Sequence, residues 1–416
     1  MVKKIQIGVI GLGNIGSSVA EVLRKNRNTI LEGSGVDLKI KKVCDSRRIK
    51  TSLPFTTDAN AVINDPDISV VVETIGGTKP ALKFILAALN KGKHVVTPNK
   101  EVIAKHMPEI LAAARKNRVK VMFEGAVGGG IPIIQPLKES LSANQISEVY
   151  GIVNGTTNYI LSKMDEEGME FSEALKKAQE KGYAEPDPTA DIQGYDALYK
   201  TVILASLAFG VKVSCKDVYC EGITKISQED LQYAKDIGYS VKLLSISRIV
   251  DGRIELRVHP ALISKDHPLS AVSENFNAIC VKGKPIGQVM FYGPGAGGGP
   301  TASAIISDII HIAKRPKTQD RRLKAAKIRK IGDIASRYYI RMQVADKFGV
   351  LAIISRIFAR KKVSIDAVIQ KETTGNVATL VVLAHKVAEK NIKAALKLIE
   401  KLSVVKKVCN VIRIVS

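Results

Sequence analysis

The sequence predicts an α/β protein in three parts: a parallel sheet flanked by helices, a mixed α+β segment, and a C-terminal βαββαβ unit. Three observations predict it. Short apolar strands alternate with amphipathic helices over residues 1–125, and such alternation needs crossover connections and hence a parallel sheet. After Gly125 the pattern shifts to glycine-rich turns, long helices and then strand-rich stretches. From Ser336 onward, strands and helices follow one another in the order strand, helix, strand, strand, helix, strand.

Each element follows from local pattern. Lys4–Ile10 is an apolar strand, Ile15–Arg27 has helical periodicity, and Leu38–Cys44 is a second strand. Ser69–Thr74 reads as a buried strand, and Pro80–Lys91 as a helix with proline in its first turn. His94–Thr97 and Val119–Phe123 are further strands around a helix at Lys105–Asn117. In the middle segment a strand is expected near Ser147–Val153, with helices at Thr157–Asp165, Phe171–Lys181 and, in one run, Asp191–Phe209. Residues 237–292 are strand-rich, and a glycine-rich loop at Tyr292–Pro300 precedes an apolar helix, Thr301–Ala313. The expected division is 1–125 and 126–313, with 293–313 returning to the first part. A basic linker, 314–334, and a terminal unit, 335–416, complete it. The order of that last unit is ferredoxin-like.

A chain of 416 residues, 45% of them hydrophobic, can bury two or three cores. No apolar run reaches the roughly 20 residues of a membrane span. The opening MVKKIQIGVIGLG reads as a first strand rather than a leader, because glycines break its apolar run and no cleavage pattern follows. Cysteines 44, 215, 220, 280 and 409 are scattered, which argues against a disulfide framework or zinc site and points to a reducing cytoplasm. The net charge is +23, of which +18 falls after residue 310. Its densest run, Lys314–Lys330, lacks the aromatics that stacking on bases requires. A solvated linker or basic helix is the favoured reading, and an acidic partner or RNA the other.

Five segments carry chemistry. Gly11-Leu12-Gly13-Asn14-Ile15-Gly16 sits between a strand and a helix. Its glycines permit a tight turn, close approach of a pyrophosphate and close helix packing, the requirements of a Rossmann-type dinucleotide site. Asp45 ends the second strand and favours the ribose hydroxyls of NAD, whereas Arg47 and Arg48 favour the 2′-phosphate of NADP. Both cofactors stay open. Lys100, in Thr97-Pro98-Asn99-Lys100, closes a later strand at the end of the sheet where ligands bind. It is either a helix-cap lysine or a neighbour of the nicotinamide. Paired with Lys200 in one cleft, each ammonium lowers the pKa of the other, which suits proton transfer to or from an alcohol.

The stretch from Ala178 to Lys200 places Glu185, Asp187, Asp191 and Asp196 within twelve residues, interleaved with Pro186 and Pro188. The prolines stiffen a loop, and Asp196 and Lys200, four apart, share a helical face. Clustered acids beside an oriented lysine suit a substrate with a positive charge and a transferable proton. Phe123–Pro132 combines Glu124 with exposed carbonyls in a glycine turn, a donor set for a hard cation or else a plain hinge. Asn154-Gly155-Thr156-Thr157-Asn158 either caps a helix or holds a carboxylate. The six histidines show no metal spacing.

The pattern Ala178-x3-Gly182-Tyr-Ala-x-Pro-Asp-Pro-x2-Asp191-Ile-x-Gly194-x-Asp196-x3-Lys200 resembles the signature of the homoserine dehydrogenases. GLGNIG, ETIGG (73–77), TPNKE (97–101), FEGAVGGGIPII (123–134), NGTTNYIL (154–161) and YGPGAGGGPTASA (292–304) agree in order and spacing. Gly125 departs slightly, since this family more often has alanine there. The tail, through Asp346–Ala352, resembles an ACT domain. The resemblance implies reversible reduction of L-aspartate 4-semialdehyde to L-homoserine by NAD(P)H, with NADP the leaning, on the route to threonine, methionine and isoleucine. It implies Lys200 as proton donor and Lys100 beside cofactor and substrate. Glu185 and Asp196 would hold the substrate ammonium with Asp191 in support, and Gly155 and Thr156 would meet its carboxylate. Thr74, Gly182, Glu185, Gly295 and Gly297 would border the cofactor. Glu124, with the carbonyls of Val127, Gly129 and Ile131, would hold sodium. An amino-acid effector, threonine, is expected at the ACT unit, and a homodimer or larger homo-oligomer in solution. The alternative reading is a non-enzymatic, ligand-responsive nucleic-acid-binding sensor, which would not need both lysines.

Overall fold

The computed structural model describes residues 2–315 and 322–415, so Pro316 and the rest of 316–321 in the basic run lie outside the described residues. The chain gathers into two compact units. The first comprises residues up to Val153, Ala197–Asp217 and Phe276–Ala326, and the second Asn154–Asp196, Val218–Asn275 and Lys327 onward.

The first unit opens with β1 (Lys3–Ile10), α1 (Asn14–Lys25), α2 (Arg27–Ser34), β2 (Val36–Cys44), β3 (Phe55–Thr56), α3 (Asn60–Ile63) and β4 (Val70–Glu73). It continues through α4 (Lys79–Asn90), β5 (His94–Val96), α5 (Lys100–Lys116), β6 (Val121–Met122), α6 (Ile134–Lys138) and β7 (Gln145–Ile152). Strands β1 to β6 form a parallel sheet in the order β3-β2-β1-β4-β5-β6. The reversal of direction at β1 and β4 opens a crevice beyond their carboxyl ends, the usual ligand position in such sheets.

Next along the chain are α7 (Gly155–Glu167), α8 (Phe171–Glu180), α9 (Thr189–Ile192), α10 (Tyr195–Phe209), β8 (Val211–Lys212), β9 (Tyr219–Cys220) and α11 (Gln228–Asp236). The strands β10 (Tyr239–Val250), β11 (Arg253–Ser264), β12 (Phe276–Lys284) and β13 (Gly287–Pro294) then lead to α12 (Gly298–Lys314) and β14 (Lys324–Ala325). In the first unit β12 pairs antiparallel with both β7 and β13. Helix α12 returns to the parallel sheet, where Ile305, Ile309 and Ile312 join Ile7, Val9 and Val19 in one apolar core.

The tail runs β15 (Ala335–Ala345), α13 (Val350–Arg360), β16 (Ile365–Thr374), β17 (Val377–Ala388), α14 (Glu389–Ile399) and β18 (Val405–Val415). Its strands pair in the order β18-β15-β17-β16, the ferredoxin-like arrangement that the element order predicts. Phe358, Ile354, Ile392 and Ile399 from its helices pack on Ile340, Met342 and Val382 of its sheet. In the second unit this sheet does not end at β18. Ala261–Ile263 of β11 pair in parallel with Arg413–Val415, so β10 and β11 extend it.

Two expectations need correction. The run Asp191–Phe209 is not one helix, because Gly194 adopts φ +85° and breaks it between α9 and α10. A side chain there would also meet Cys220 Sγ at 3.1 Å and Val258 at 3.3 Å, so the position requires glycine for both conformation and space. The basic segment is more than a solvated linker. Lys324–Ala325 pair with β8, and farther on the Ile254 amide donates to the Lys327 carbonyl while the Ile254 carbonyl accepts from the Arg329 amide. No helix among the described residues is long and apolar enough to cross a membrane.

Candidate active site

In the first unit the glycine loop is built as its spacing requires. A Cβ on Gly16 would lie 2.0 Å from the Gly11 carbonyl oxygen, so only glycine lets α1 start this close to β1. A Cβ on Gly13 would meet nothing within 4 Å, and Gly13 caps α1 with no side-chain partner, which leaves open space at the helix N-terminus. Thr74 Oγ1 donates to the Gly11 carbonyl at 2.7 Å and holds the turn from the next strand. A cleft of about 580 Å³ opens here, lined among others by Gly11, Gly13, Asp45, Arg47, Thr74 and Lys83.

Asp45 is buried and already engaged. Its Oδ2 accepts from the Leu12 amide at 2.9 Å, and its Oδ1 from the amide and Nε of Arg47 at 3.0 and 3.3 Å. Burial would raise its pKa, but these hydrogen bonds hold it below the usual carboxylate value. Arg47 remains largely exposed beside the cleft; Arg48 is exposed but is not among the residues that line it.

Two glycine loops meet beyond this cleft. Cβ atoms on Gly129 and Gly130 would lie 2.7 Å from the Gly295 carbonyl and 2.8 Å from Pro300 Cβ. Gly297, at φ +123°, caps α12, and Gly298 runs close enough to Ser18 Oγ (2.3 Å from a Cβ) to seat the start of α12 beside α1. Gly125 is similarly confined, since a methyl group would sit 3.2 Å from both Pro98 and Thr301.

Glu124 is buried, and its carboxylate accepts from three consecutive amides: Ile133 at 2.6 Å, Ile134 at 2.7 Å and Gln135 at 2.8 Å. Burial raises its pKa against the pull of these donors. Its own amide donates to Asp308 Oδ2 at 2.8 Å. Asp308, on α12, escaped the sequence reading, and burial beside Glu124 pushes its pKa up to about 8. The available signal was a lone carboxylate in an otherwise apolar helical run.

Lys100 is the first residue of α5. Asn99 caps that helix, accepting from Val102 and donating to the Gly77 carbonyl at 2.7 Å. Lys200 is buried in α10, where its Nζ donates to the Val153 carbonyl at 2.7 Å.

In the second unit Asn154 gathers two of the predicted acids. Its Nδ2 donates to Asp191 Oδ1 at 2.7 Å and to Asp196 Oδ2 at 2.8 Å. Its Oδ1 accepts from the amide and hydroxyl of Thr157, both at 2.8 Å, and so caps α7. Thr156 Oγ1 donates to the Tyr183 carbonyl at 2.6 Å. Gly155 allows the Asn275 carbonyl to approach, 2.6 Å from where a Cβ would be. Gly182 turns the chain with φ +72°. Glu185 lies on the exposed proline loop and its side chain takes no part in the hydrogen bonds of the Asn154 cluster, although Gln179 holds its carbonyl at 3.2 Å. Asp187 accepts from the Thr189 amide at 3.1 Å, which fits the loop-shaping place suggested by its two flanking prolines.

Comparison with known proteins identifies the family and its domains. A family model described as homoserine dehydrogenase covers residues 132–310, its NAD-binding-domain counterpart 11–124, and an ACT-domain model 338–404. A homoserine dehydrogenase of Synechocystis sp. is 44% identical over 99% of this chain and 100% of its own length. The crystal structure of one from Thiobacillus denitrificans superposes with a TM-score of 0.95 and 41% identity, covering 100% of this chain and 99% of that one. A hyperthermophilic archaeal homoserine dehydrogenase, solved in complex with NADPH, covers 76% of this chain and 99% of its own at TM-score 0.64 and 28% identity.

Proposed function

The chain belongs to the homoserine dehydrogenase family, and from that premise we propose how its residues share the reversible reduction of L-aspartate 4-semialdehyde to L-homoserine. The family relation favours this enzyme over the nucleic-acid-binding sensor. A bound nicotinamide cofactor exchanges the hydride. The single observation that carries the residue assignment is the buried Lys200, aimed by the Val153 carbonyl. Its ammonium delivers the proton to the aldehyde oxygen and takes it back from the hydroxyl in reverse, general acid–base work for which a fixed donor suffices. Lys100, held by the Asn99-capped start of α5, places a second positive charge beside cofactor and substrate. Glu185 and Asp196 hold the α-ammonium with Asp191 behind them, and Gly155 and Thr156 present the N-terminus of α7 to the α-carboxylate.

The loop Gly11–Gly16, uncapped and open above Gly13, fits a pyrophosphate, with Thr74, Gly295 and Gly297 of the same unit as its partners in holding the cofactor; the family relation adds Gly182 and Glu185 to the residues assigned to the cofactor. Because both oxygens of Asp45 are engaged and Arg47 lines the cleft, the preferred cofactor is NADP, whose 2′-phosphate Arg47 and Arg48 receive. Sodium binds the oxygens of Glu124, Val127, Gly129 and Ile131. Since the Glu124 carboxylate already accepts three amides, the main-chain carbonyls, turned by left-handed Gly128 and Gly129, suit a hard cation better. Replacing NaCl by choline chloride at equal ionic strength should lower the melting temperature, and an unchanged value rejects the sodium site. Threonine acts at the ACT unit through the Asp346–Gly349 loop, where Gly349 (φ +84°) caps α13. Full turnover at saturating L-threonine would exclude that effector. Homodimers are expected in light scattering. The five free cysteines fit a cytoplasmic enzyme, which fractionation of cells would check.

The deciding experiment follows nicotinamide absorbance with L-homoserine and each cofactor. Lys200→Ala should cut kcat by about a hundredfold or more while cofactor affinity stays nearly intact. Turnover equal to the parent enzyme in that variant refutes the proton-donor assignment. A higher kcat/KM with NAD than with NADP refutes the cofactor preference.

A further inference from the structure

We propose that Asn154 is a positioning residue that clamps Asp191 and Asp196 into a single binding element for the substrate ammonium, a role that rests on the placement of that ammonium given above. In an unbroken helix the two acids, five residues apart, would point about 140° away from each other around the axis. The left-handed Gly194 between them breaks the helix, and the two carboxylates arrive on separate short elements, α9 and α10. One planar amide then receives both, at 2.7 and 2.8 Å from the same nitrogen. An amide nitrogen has two protons, and Asn154 spends one on each acid.

The orientation of this amide follows from its surroundings. Its oxygen faces the amide and hydroxyl of Thr157. Turned over, the group would point its oxygen at two carboxylates and its protons at the Thr157 amide proton. The N-cap of α7 therefore dictates where the nitrogen lies, and the nitrogen dictates the spacing of the acids. A neutral donor does this without cancelling their charge, as a lysine or arginine would. The same residue heads the helix whose first turn, Gly155 and Thr156, is assigned to the substrate carboxylate. Asn154 thus sets the distance between the anionic and the amide-donor ends of a site for a zwitterionic amino acid.

Two substitutions in the full-length enzyme separate this role from simple helix capping. Asn154→Ser keeps an N-cap acceptor but cannot reach two carboxylates, and Asn154→Asp keeps cap and size but turns two donors into acceptors. Losing hydrogen bonds to charged groups should raise KM for L-homoserine about tenfold in the first variant and about a hundredfold in the second. KM for NADP should stay within about twofold in both, and kcat should fall less than KM rises, the pattern of lost ground-state binding. Asn154→Ser should melt near the parent temperature, so a misfolded Asn154→Asp leaves the test intact. Equal shifts in both KM values, or an unchanged KM for homoserine in Asn154→Ser, overturn the clamp. Asp196→Asn, run in parallel, tells the two ideas apart. If it raises KM for homoserine while the Asn154 variants do not, the clamp alone falls; if it too leaves KM unchanged, the ammonium site falls with it.

Discussion

Both units bury carboxylates, but they hold them by different means. In the first unit Glu73 accepts from the Thr97 hydroxyl at 2.6 Å and the Ile75 amide at 2.7 Å, and Glu124 accepts from three amides. In the second unit Glu389 accepts from Arg413 Nε and Nη2 at 2.9 and 2.6 Å and from the Tyr338 hydroxyl at 2.8 Å. Asp230 likewise accepts from Arg341 Nε at 2.6 Å, Asn410 at 2.8 Å and Tyr339 at 3.2 Å. Neutral donors make a carboxylate a template for a loop. Glu73 shapes the turn at Ile75–Gly76, and Glu124 anchors the chain on leaving the glycine loop, so both support candidate ligand sites. Arginines make it a rivet between elements. Arg413 also reaches Glu221 and the Tyr219 hydroxyl, and Arg341 reaches Glu229 and Ser227, which tie the ACT strands to β9 and α11. Where the chain must present backbone to a ligand it spends buried acids on amides; where it must tie the tail's strands to β9 and α11 it spends them on guanidinium groups.

The same conservative change should therefore cost different amounts at different places. Glu389→Gln removes the buried counter-charge of Arg413, leaving it the partly exposed Glu221, and should destabilise the second unit by about 3–5 kcal/mol, measured by denaturant unfolding. A loss below about 1 kcal/mol would erase the distinction, because that is the worth of an exposed pair. Glu124→Gln presents an NH₂ group where an amide proton expects an acceptor and should cost about 1–3 kcal/mol. Hydrogen exchange should report it as faster exchange at Ile133–Gln135, and unaltered exchange there would show that the carboxylate does not hold the loop. Glu73→Gln should cost least, under about 1 kcal/mol, since the Thr97 hydroxyl can turn and accept instead of donating.

Acid sharpens the contrast, because the two kinds of carboxylate respond with opposite sign. Burial raises Glu73 despite its hydrogen bonds, so the folded state binds its proton more tightly than the unfolded chain. Its contribution is greatest below the ordinary value of 4.5 and is lost as pH rises through the folded value. Burial also opposes ionisation of Glu389, but Arg413 and Tyr338 more than offset it and hold the group below 4.5. Its contribution is present above that value and is lost as pH falls through the folded one. Scanning calorimetry from pH 8 down to about pH 2 should find the parent enzyme losing stability below the ordinary value of 4.5 through Glu389, a loss absent from Glu389→Gln. Glu73→Gln should remove a smaller loss on the alkaline side. Parallel curves for parent and variants would reject both assignments.

Much of this was legible in the chain, for a common reason. GLGNIG between two strands, the period of the β and α elements, and the βαββαβ order of the tail all depend on neighbours within a turn or a strand. The expected roles of Lys200 and Asp196 rest on a motif, and their placement on one helix on a spacing of four. What escaped depends on residues distant in sequence. The break at Gly194 is set by Cys220 and Val258, which leave no room for a side chain. Asp308 meets Glu124 across 184 positions, and Asn154 meets Asp191 and Asp196 across 37 and 42. The pairing of β11 with β18, which ties the tail to the rest of the second unit, joins strands with no local signal for each other.

The amino-acid order by itself determined the classes of element, the nucleotide loop and the residue types of the candidate catalytic stretch, because backbone conformation and short-range spacing are local physics. Only the tertiary structure decided which donors surround each buried carboxylate, and hence whether that acid shapes a loop, rivets a sheet or stands ready for a substrate. That choice follows from desolvation: once water is removed, a charge is defined by its partners, and the partners come from elsewhere in the chain.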